Sequence, residues 1–385
     1  MILKYEMKKV LNKRMNRILI AAALVLMVVF SIFAIGSFHA VGADGEGHTG
    51  LSAARLMVTD KNHWRGKVTT EMITKSVKSF RSGDQQSTSD IIYLTSKMLA
   101  GERSDLDDDE AILHADSSQI ADIYDSYHEN LQKMSKEYGD TSKKQALLTE
   151  KYKEISTPFY YEAYDSWDTM LLYATECSLI LVIVIGFLTA GIFSEEFQCK
   201  ADSVFFSTRC GRSKAVHAKI CTGLIIATLV YGIGIGALSI ICFSTMGVSG
   251  ASTSYQFSEP YAIYPISMGQ MYGLVVLCGY IASLLAASVA MLVASKMKSI
   301  SFAVAVPFVL FCVSPFIGRA LPFKTFFSLT PDQLTNIMNC ARIPYIYQIG
   351  NVVFRQIPFL IVFYALVAII LLPIAYRNYH RAILQ

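Results

Sequence analysis

Charged residues are scarce in this chain: Asp, Glu, Lys and Arg make up 17% of its 385 residues, whereas soluble proteins contain about 25%. Hydrophobic residues make up 53%, and the mean hydropathy is +0.41. This composition excludes a chain of ordinary soluble domains, a collagen, a coiled coil and a disordered protein. The 8 cysteines are sparse and most of them lie in apolar segments, which excludes a scaffold held together by disulfides.

Motifs for nucleotide binding and catalysis are also missing. The sequence has no G-x-x-x-x-G-K-[ST], H-E-x-x-H, G-x-S-x-G or C-x-x-C pattern, so it lacks the signatures of a phosphate loop, a zinc protease, a serine hydrolase and a redox dithiol. Cys199, Cys210, His217 and Cys221 match no zinc module, and the acidic run 105–110 lacks the spacing of a calcium loop. We therefore predict no catalytic residue, metal or cofactor on this chain, and we do not expect an enzyme.

The chain does contain long apolar runs. A membrane-spanning helix needs about 20 apolar residues, because the hydrocarbon core is about 30 Å thick and a helix rises about 1.5 Å per residue. Six runs meet this length: Ile18–Phe38, Met170–Phe193, Ala215–Met246, Gly269–Ser295, Ile300–Gly318 and Gln356–Tyr376. Pro307 and Pro315 are expected to kink the fifth run without abolishing it. The predicted fold is an all-α polytopic membrane protein with six transmembrane helices.

The distribution of lysine and arginine predicts the orientation of these helices. Threading six helices places four basic segments on one side: residues 1–17, the segment between spans two and three, Lys296 with Lys298, and Arg377 with Arg381. Basic segments favour the cytoplasm, so we expect both termini, including the tail 377–385, to be cytoplasmic. The loop 247–268, which has no basic residue, and the longer loop 319–355, which has four, are placed outside.

Residues 1–17 carry six basic residues and precede the first apolar run. Leu3, Met7, Val10, Leu11 and Met15 are apolar residues at helical spacing in this segment. This spacing is typical of a basic amphipathic helix that lies among anionic lipid headgroups, and a simple positively charged flank is equally consistent with it. The run at 18–38 exceeds the apolar core of a cleaved signal peptide, so we expect it to remain as a transmembrane helix.

Residues 39–169 form the one large polar block and are predicted to be a mainly helical extracytoplasmic domain between spans one and two. Residues 39–168 contain 15 Lys and Arg against 23 Asp and Glu, a net charge of −8, which argues against nucleic acid as a partner. The block has no cysteine, as expected at the surface of a bacterium with little disulfide formation. Helices are predicted at 68–80 and 117–135. We expect the chain to lie in a bacterial plasma membrane.

One acidic residue, Glu176, lies inside a predicted span. An ionisable residue within a membrane indicates a functional site. Glu176 is also only about two turns from Asp168, so its side chain could simply reach water at the outer end of the helix. Both interpretations stay open.

The segment between Phe193 and Lys219 carries the strongest functional signal. Ser194 is predicted to cap a new helix with Glu195 and Glu196 in its first turn, since carboxylates are favourable at the positive end of a helix dipole. Its apolar face consists of Phe197, Ala201, Val204 and Phe205, and Arg209, Gly211 and Arg212 mark its end. This helix either lies passively among headgroups or exposes Phe205 or Phe206 to fill a groove on a cytoplasmic partner.

In this segment the sequence resembles the permease subunits of type-2 ABC exporters. In those subunits a span ends in Phe and is followed by a Glu-rich start, an apolar pair, a basic turn and a Lys that opens the next helix. The matching residues are Phe193, Glu195, Glu196, Phe205, Phe206, Arg209, Arg212 and Lys219. The family commonly has glycine where Lys200 or Ala201 stands. Residues that resemble a Gram-positive branch with a large outer domain are Trp64, Gly66, Glu71, Tyr161 and Trp167.

The resemblance implies an elbow helix at 1–17, a coupling helix within 194–214 and partial re-entry of 319–355 into the membrane. It also implies two protein partners: a separate cytoplasmic ATPase that binds ATP and Mg, and a second permease subunit that makes a homo- or heterodimer. The expected function is the permease of an ATP-driven exporter whose substrate is a peptide, a lipid or a drug. The alternative is a membrane-anchored sensor or scaffold whose outer domain binds an extracellular ligand.

Overall fold

Long apolar helices dominate the computed structural model, which describes residues 2–42, 44–101, 112, 115–208, 211 and 213–381. In chain order the helices are α1 (Ile2–Asn12), α2 (Arg14–Gly36), α3 (Leu51–Lys61), α4 (Thr70–Arg81), α5 (Gln85–Ala100), α6 (Ser117–Ala121), α7 (Ile123–Tyr138), α8 (Ser142–Lys153), α9 (Asp165–Gln198), α10 (Asp202–Ser207), α11 (Lys214–Met246), α12 (Met268–Met297), α13 (Ile300–Phe308), α14 (Ser314–Ala320), α15 (Lys324–Phe327), α16 (Ile337–Arg342) and α17 (Gln356–His380). The strands are β1 (His39–Val41), β2 (Gly47–Thr49), β3 (Gly66–Lys67), β4 (Tyr160–Tyr161), β5 (Ile346–Ile349) and β6 (Val352–Arg355).

Within the described ranges, six helices are long and apolar enough to cross a membrane. Five are α2, α9, α11, α12 and α17, and the remaining one runs from Ile300 to Gly318. The prediction of a mostly helical, multi-pass membrane protein is confirmed. The fold is not purely helical, because three two-stranded antiparallel sheets join β1 to β2, β3 to β4 and β5 to β6. These strands are two to four residues long, too short for hydropathy periodicity to signal them.

The helix bundle has two chemically distinct ends. The polar domain, residues 39–164, lies at the end that we call the domain end, together with the connections 247–267 and 319–355. The opposite end, which we call the terminus end, carries α1, α10 and the last turns of α17. Successive apolar helices therefore run in alternating directions between the two ends.

Helices α9 and α12 form the centre of the bundle. In their apolar stretches 67% of the residues are buried, against 22% in α2 and in α17. Glycine allows the central helices to approach closely: a Cβ on Gly279 of α12 would lie 2.3 Å from the Tyr231 hydroxyl and 2.6 Å from the Ser178 hydroxyl. These two hydroxyls are themselves 3.1 Å apart. Small residues thus determine the spacing of α9, α11 and α12, as is usual where lipid removes the hydrophobic drive for association.

The fifth apolar helix is irregular, as its prolines predict. Helix α13 contains Pro307, a π-helical turn covers Val309–Val313, and α14 begins just before Pro315. Proline cannot donate the i→i−4 hydrogen bond, so the ladder widens locally and the chain bends. The ring of Pro307 occupies the space beside Gly186 of α9, where a Cβ would lie 3.2 Å away.

The polar domain is fastened to the rest of the chain at several points. The hydroxyl of Tyr127 on α7 donates to the Pro260 carbonyl, 2.6 Å away, and the Tyr261 hydroxyl donates to the Lys97 carbonyl, 2.7 Å away. At the β5–β6 turn, Lys143 donates to the Asn351 side chain at 2.6 Å. The connection 247–267 is therefore part of the domain core rather than a free loop, which the sequence did not indicate.

A buried lysine anchors the domain to α9. Lys61 of α3 contacts Asp90 of α5 at 2.9 Å and Asp165, the first residue of α9, at 2.5 Å. The Tyr161 hydroxyl donates to the second oxygen of Asp90, 2.8 Å away. Burial by itself would lower the pKa of Lys61, but the charges of the two aspartates raise it above its usual value. We call Lys61, Asp90 and Asp165 the Lys61 cluster.

Two helix predictions for the domain need correction. The helix predicted at 68–80 is α4, which begins two residues later because Thr69 caps it by accepting a hydrogen bond from the Met72 amide. The helix predicted at 117–135 is divided into α6 and α7 around Asp122. The acidic run 105–110 lies outside the described residues.

The close packing at Gly279 generates a first prediction. Gly279→Ala places a methyl group against the Tyr231 and Ser178 hydroxyls, and overpacking of this kind costs about 1–3 kcal/mol. We expect a lower midpoint of thermal unfolding for the purified protein in detergent. Gly273→Ala, in the same helix but with no atom within 4 Å of the new Cβ, is the control and should not lower the midpoint. Equal midpoints for the two variants would contradict this account of the packing.

Candidate functional site at the terminus end

Lys219 lies at the centre of a buried group of charges. It sits in the second turn of α11 with 0% of its surface exposed. Its ammonium group donates to Glu196 Oε1 at 2.7 Å, to the Ile192 carbonyl at 2.8 Å and to Glu6 Oε2 at 3.3 Å. A buried ammonium is tolerated only when it is paired and fully hydrogen-bonded, and these three acceptors match its three donors.

Helix α1 supplies two further lysines. Lys9 contacts Glu196 at 2.7 Å and Glu195 at 3.2 Å, and Lys13 contacts Glu195 at 3.0 Å. Burial by itself would lower the pKa of Lys9, but its hydrogen bond to Glu196 and the nearby carboxylates raise it to about 12. Lys9 is therefore charged at every physiological pH. We call the six residues the charge cluster: Glu6, Lys9, Lys13, Glu195, Glu196 and Lys219.

Aromatic side chains of α9, α10 and α17 pack together beside the charge cluster, and we call them the aromatic layer. The Tyr379 hydroxyl of α17 donates to Glu196 Oε2, 3.0 Å away. Around its ring lie Phe193, Phe206, Phe197 and Phe205, with centroid distances of 4.8, 5.1, 5.8 and 6.0 Å. Lys219 lies 5.4 Å from the Phe205 centroid, within the range of a cation–π contact. Ends of α1, α9, α11 and α17 therefore meet at one point together with α10.

The predicted helix start at Ser194 is wrong. Helix α9 continues without a break to Gln198, and the Ser194 hydroxyl donates to the Ala190 carbonyl of the preceding turn, 3.0 Å away. Ser194 does not cap a new helix, because Glu195 and Glu196 form their ion pairs with lysines of other segments while they remain part of α9. The chain turns at Lys200, whose φ is 52°, and only six residues form the separate helix α10.

The expected exposure of the phenylalanine pair is also wrong. Phe206 is 5% exposed and Phe205 is half-buried, since both pack on Tyr379. The exposed apolar residue of α10 is Val204, at 69%. Ser203 and Ser207 lie exposed beside it. Arg209 and Arg212, predicted at the end of this segment, lie outside the described residues.

The N-terminal residues are divided at Lys13. Helix α1 ends at Asn12, and α2 begins at Arg14 and continues into the first apolar helix. Glu6 and Val10 face inward against α11, whereas Leu3 and Leu11 are partly exposed. Residues 2–12 of this segment are helical, and the inward face of the helix is held by charge as well as by apolar contact.

Glu176 does not belong to the charge cluster. It lies on an exposed face of α9, one turn after the exposed Leu172. Glu196 is 20 residues farther along the same helix, which corresponds to about 30 Å. The structure thus separates Glu176 from the other residues that the sequence singled out.

The cysteine and histidine residues of this region form no metal centre in the described part of the chain, where no group of three or more His, Cys, Asp or Glu is placed to hold an ion. The His217 ring packs against Tyr376 in a tilted arrangement, with centroids 4.6 Å apart. Cys199 and Cys221 are exposed. Cys210 lies outside the described residues.

Scans of family models, curated proteins and solved structures find no match to this chain. The role of the charge cluster is therefore inferred from its geometry. Sequence reasoning identified Glu195 and Glu196 but missed Glu6 and Tyr379 as their partners, and it treated Lys219 only as the opening of a helix. The available signal was a glutamate within a basic amphipathic helix and a lysine inside an apolar run, both of which need an opposite charge nearby.

The pairing of Lys219 generates a second prediction. Lys219→Met leaves Glu196 with one fewer cation in a buried site, and breaking a buried pair in this way costs about 3–5 kcal/mol. We expect a clear loss of thermal stability, measured by unfolding of the purified protein in detergent. Lys214→Met, at an exposed position one turn earlier in α11, is the matched control and should unfold like the wild type.

A double variant tests whether unpaired charge causes the loss. Glu196→Gln added to Lys219→Met removes one negative charge along with the positive one, so part of the lost stability should return. If the double variant is less stable than Lys219→Met by the full cost of a second independent change, the two residues do not act as a pair.

Proposed function

We propose that this chain is the membrane-spanning permease subunit of an ATP-driven exporter in a bacterial plasma membrane. A separate cytoplasmic ATPase would hydrolyse ATP with Mg, and this chain would convert the resulting motion into outward movement of a substrate. The observation that carries the proposal is the charge cluster together with the aromatic layer around Tyr379, which tie the ends of α1, α9, α11 and α17 to the short helix α10. The absence of a phosphate loop from the sequence is consistent with nucleotide chemistry on another chain.

Charge supports the orientation. The terminus end carries the lysines of α1, together with Lys200, Lys214, Lys296 and Lys298, and basic segments remain in the cytoplasm. The polar domain, with its net negative charge, then faces outward. In this orientation α10 is exposed to the cytoplasm, where an ATPase would reside.

The conformation at Lys200 gives independent support. Its φ of 52° lies in the left-handed region, which glycine adopts without strain and other residues rarely do. The type-2 exporter permeases that this segment resembles commonly have glycine at Lys200 or Ala201. A chain that turns sharply between α9 and α10 explains why glycine would be favoured at this point.

The geometry supports different roles for the two faces of α10. Phe205 and Phe206 fasten the helix to Tyr379 and so to Glu196. Val204, with Ser203 and Ser207, forms the outer face that a partner would contact. A force on this face would pass through the aromatic layer into the end of α9, because closely packed side chains transmit displacement rather than absorb it.

A second permease subunit would complete the membrane unit. Candidate faces are the exposed apolar surfaces of α2, α13 and α17, where lipid is the other neighbour. Glu176 lies on the exposed face of α9 and would be covered by such a subunit, since an isolated carboxylate facing hydrocarbon is costly. The substrate class stays open among peptides, lipids and drugs.

The sensor alternative has one observation in its favour. At the domain end a cavity of about 860 Å³ opens among Asp60, His63, Asp84 and Gln86, large enough for a small ligand. Asp60 lies next to Lys61, and the Lys61 cluster leads directly into α9. A ligand in this cavity could therefore act on α9, and this function is compatible with that of a permease.

Orientation is tested by labelling single cysteines in intact cells. In a cysteine-free background, Val248→Cys at the domain end and Val204→Cys at the terminus end provide two exposed positions of similar accessibility. A membrane-impermeant maleimide should label Val248→Cys in intact cells and Val204→Cys only after lysis. Labelling of Val204→Cys from outside would overturn the orientation and the partner together.

The partner contact is tested by Val204→Asp. The tagged chain is purified from its host membrane in mild detergent, and the ATPase activity that accompanies it is measured. A charge on the outer face of α10 should reduce this activity about tenfold or more, since desolvating an unpaired carboxylate in an interface costs at least about 1.4 kcal/mol. Val248→Asp, at the opposite end, should retain it. Full activity with Val204→Asp, or ATP hydrolysis by the chain alone, contradicts the proposal.

A further inference from the structure

A polar pocket lies at the domain end of the fifth apolar helix. Its volume is about 360 Å³, at the lower end of the range for small-molecule sites. It opens between α14, α15, the 3₁₀ turn Pro331–Thr335 and α16. The polar side chains that line it are Ser314, Lys324, Ser328, Asp332, Gln333, Asn336, Asn339 and Tyr345.

Asp332 is the most deeply buried of these residues, with 3% of its surface exposed. Gln333 donates to its Oδ2 at 2.9 Å, but its Oδ1 has no hydrogen-bond partner. The nearby Thr330 hydroxyl donates instead to the Phe327 carbonyl, 2.5 Å away. Among the described side chains no lysine or arginine lies within 4 Å of this carboxylate. Burial raises the pKa of Asp332, and the nearby Thr330 and Ser314 hydroxyls and the Gln333 amide only partly oppose that rise.

A buried carboxylate with an unused oxygen is costly unless a ligand satisfies it. A positively charged donor would supply both the missing hydrogen bond and the missing charge. The pocket amides, contributed by Gln333, Asn336 and Asn339, provide further hydrogen bonds. The first half of the ligand is therefore an ammonium group.

Lys324 defines the other half. It lines the same pocket and is exposed, and no carboxylate lies within 4 Å of it among the described residues. A simple cation would be repelled by Lys324, and a simple anion would be repelled by Asp332. A ligand that carries an ammonium and an anionic group side by side is complementary to both.

The surroundings of the pocket are apolar. Phe316, Phe323 and Phe326 are 69%, 64% and 67% exposed on the segment that ends the fifth apolar helix. Aromatic side chains at the end of a membrane helix lie at the level of lipid headgroups. Hydrocarbon attached to a ligand in the pocket would therefore contact these rings.

Two local features of the backbone shape the wall of the pocket. A Cβ on Gly318 would lie 2.8 Å from the Phe327 ring, so the glycine lets α14 approach α15 closely. The π-helical turn at Val309–Val313 turns the chain just before Ser314, and π-helical turns occur often at functional sites. The pocket wall thus depends on two local departures from a regular helix.

We propose that this pocket binds the zwitterionic headgroup of a phosphatidylethanolamine, with the ammonium at Asp332, the phosphate at Lys324 and the acyl chains along the exposed phenylalanines. The site would hold a lipid of the surrounding membrane and is separate from the charge cluster. The same headgroup chemistry exists in water-soluble glycerophosphoethanolamine, so the test must distinguish the two sources.

The test uses the full chain, purified in detergent without any ATPase, so its outcome is independent of the proposed transport function. Dioleoyl phosphatidylethanolamine and dioleoyl phosphatidylglycerol are titrated separately, and bound lipid is counted by native mass spectrometry. The wild type should prefer the ethanolamine lipid. Asp332→Asn should weaken ethanolamine lipid binding about tenfold while leaving the glycerol lipid unaffected, since the lost contact is a charge-assisted hydrogen bond.

Two further variants keep the test decisive. Lys324→Gln, at an exposed position, should also weaken ethanolamine lipid binding, even if Asp332→Asn proves unstable. Asp140→Asn, an exposed change on the polar domain at the same end of the bundle, should have no effect. Unchanged binding by Lys324→Gln, or equal binding of both lipids by the wild type, overturns the proposal.

Glycerophosphoethanolamine identifies the source of the headgroup. It lacks acyl chains and should bind much more weakly than the lipid, because it has no contact with the phenylalanines. Equal affinity for the soluble compound would overturn the assignment to lipid.

Discussion

The burial of the Lys219 ammonium is the constraint on which the terminus end depends. A charge with no exposed surface has to find its counter-charges within reach, and here they come from α1 and α9. The charge cluster contains three lysines and three glutamates, so its formal charge is zero. That balance fixes where α1, α9 and α11 meet, because moving any one of them away would strand a charge in a low-dielectric site. The aromatic layer around Tyr379 then fixes α10 and α17 relative to the same point.

Helix α9 connects this point to the opposite end of the molecule. Its first residue, Asp165, belongs to the Lys61 cluster, and Glu196 near its last turn belongs to the charge cluster. The two carboxylates are 31 residues apart, about 46 Å along a continuous helix. An α-helix without proline or a π-helical turn is stiff over this length, and α9 has neither. One continuous helix therefore joins the polar domain to the charge cluster.

How much the sequence could predict depended on the range of the interaction involved. The six apolar helices were predictable because hydropathy sums over about 20 residues and no single neighbour can reverse it. The end of α9 was not, because the capping signal at Ser194 is worth only about 1 kcal/mol, less than the ion pairs that Glu195 and Glu196 make with residues some 190 positions away in the chain. For the same reason the expected orientation of Phe205 and Phe206 was wrong. Periodicity identifies an apolar face without saying whether a partner or the chain's own α17 covers it.

An ionic contact of this kind is not required for stability, since buried ion pairs can often be replaced by apolar side chains without loss. A neutral cluster does, however, allow a change that apolar packing would resist. Lys9 already contacts Glu196 at 2.7 Å and Glu195 at 3.2 Å, so a small shift of α1 along α9 exchanges the shorter bond for the longer one and leaves no charge unpaired. Interdigitated apolar side chains have no such alternative partner and lose contacts as soon as they slide. Charge at this end thus combines a defined geometry with a second acceptor within reach of Lys9.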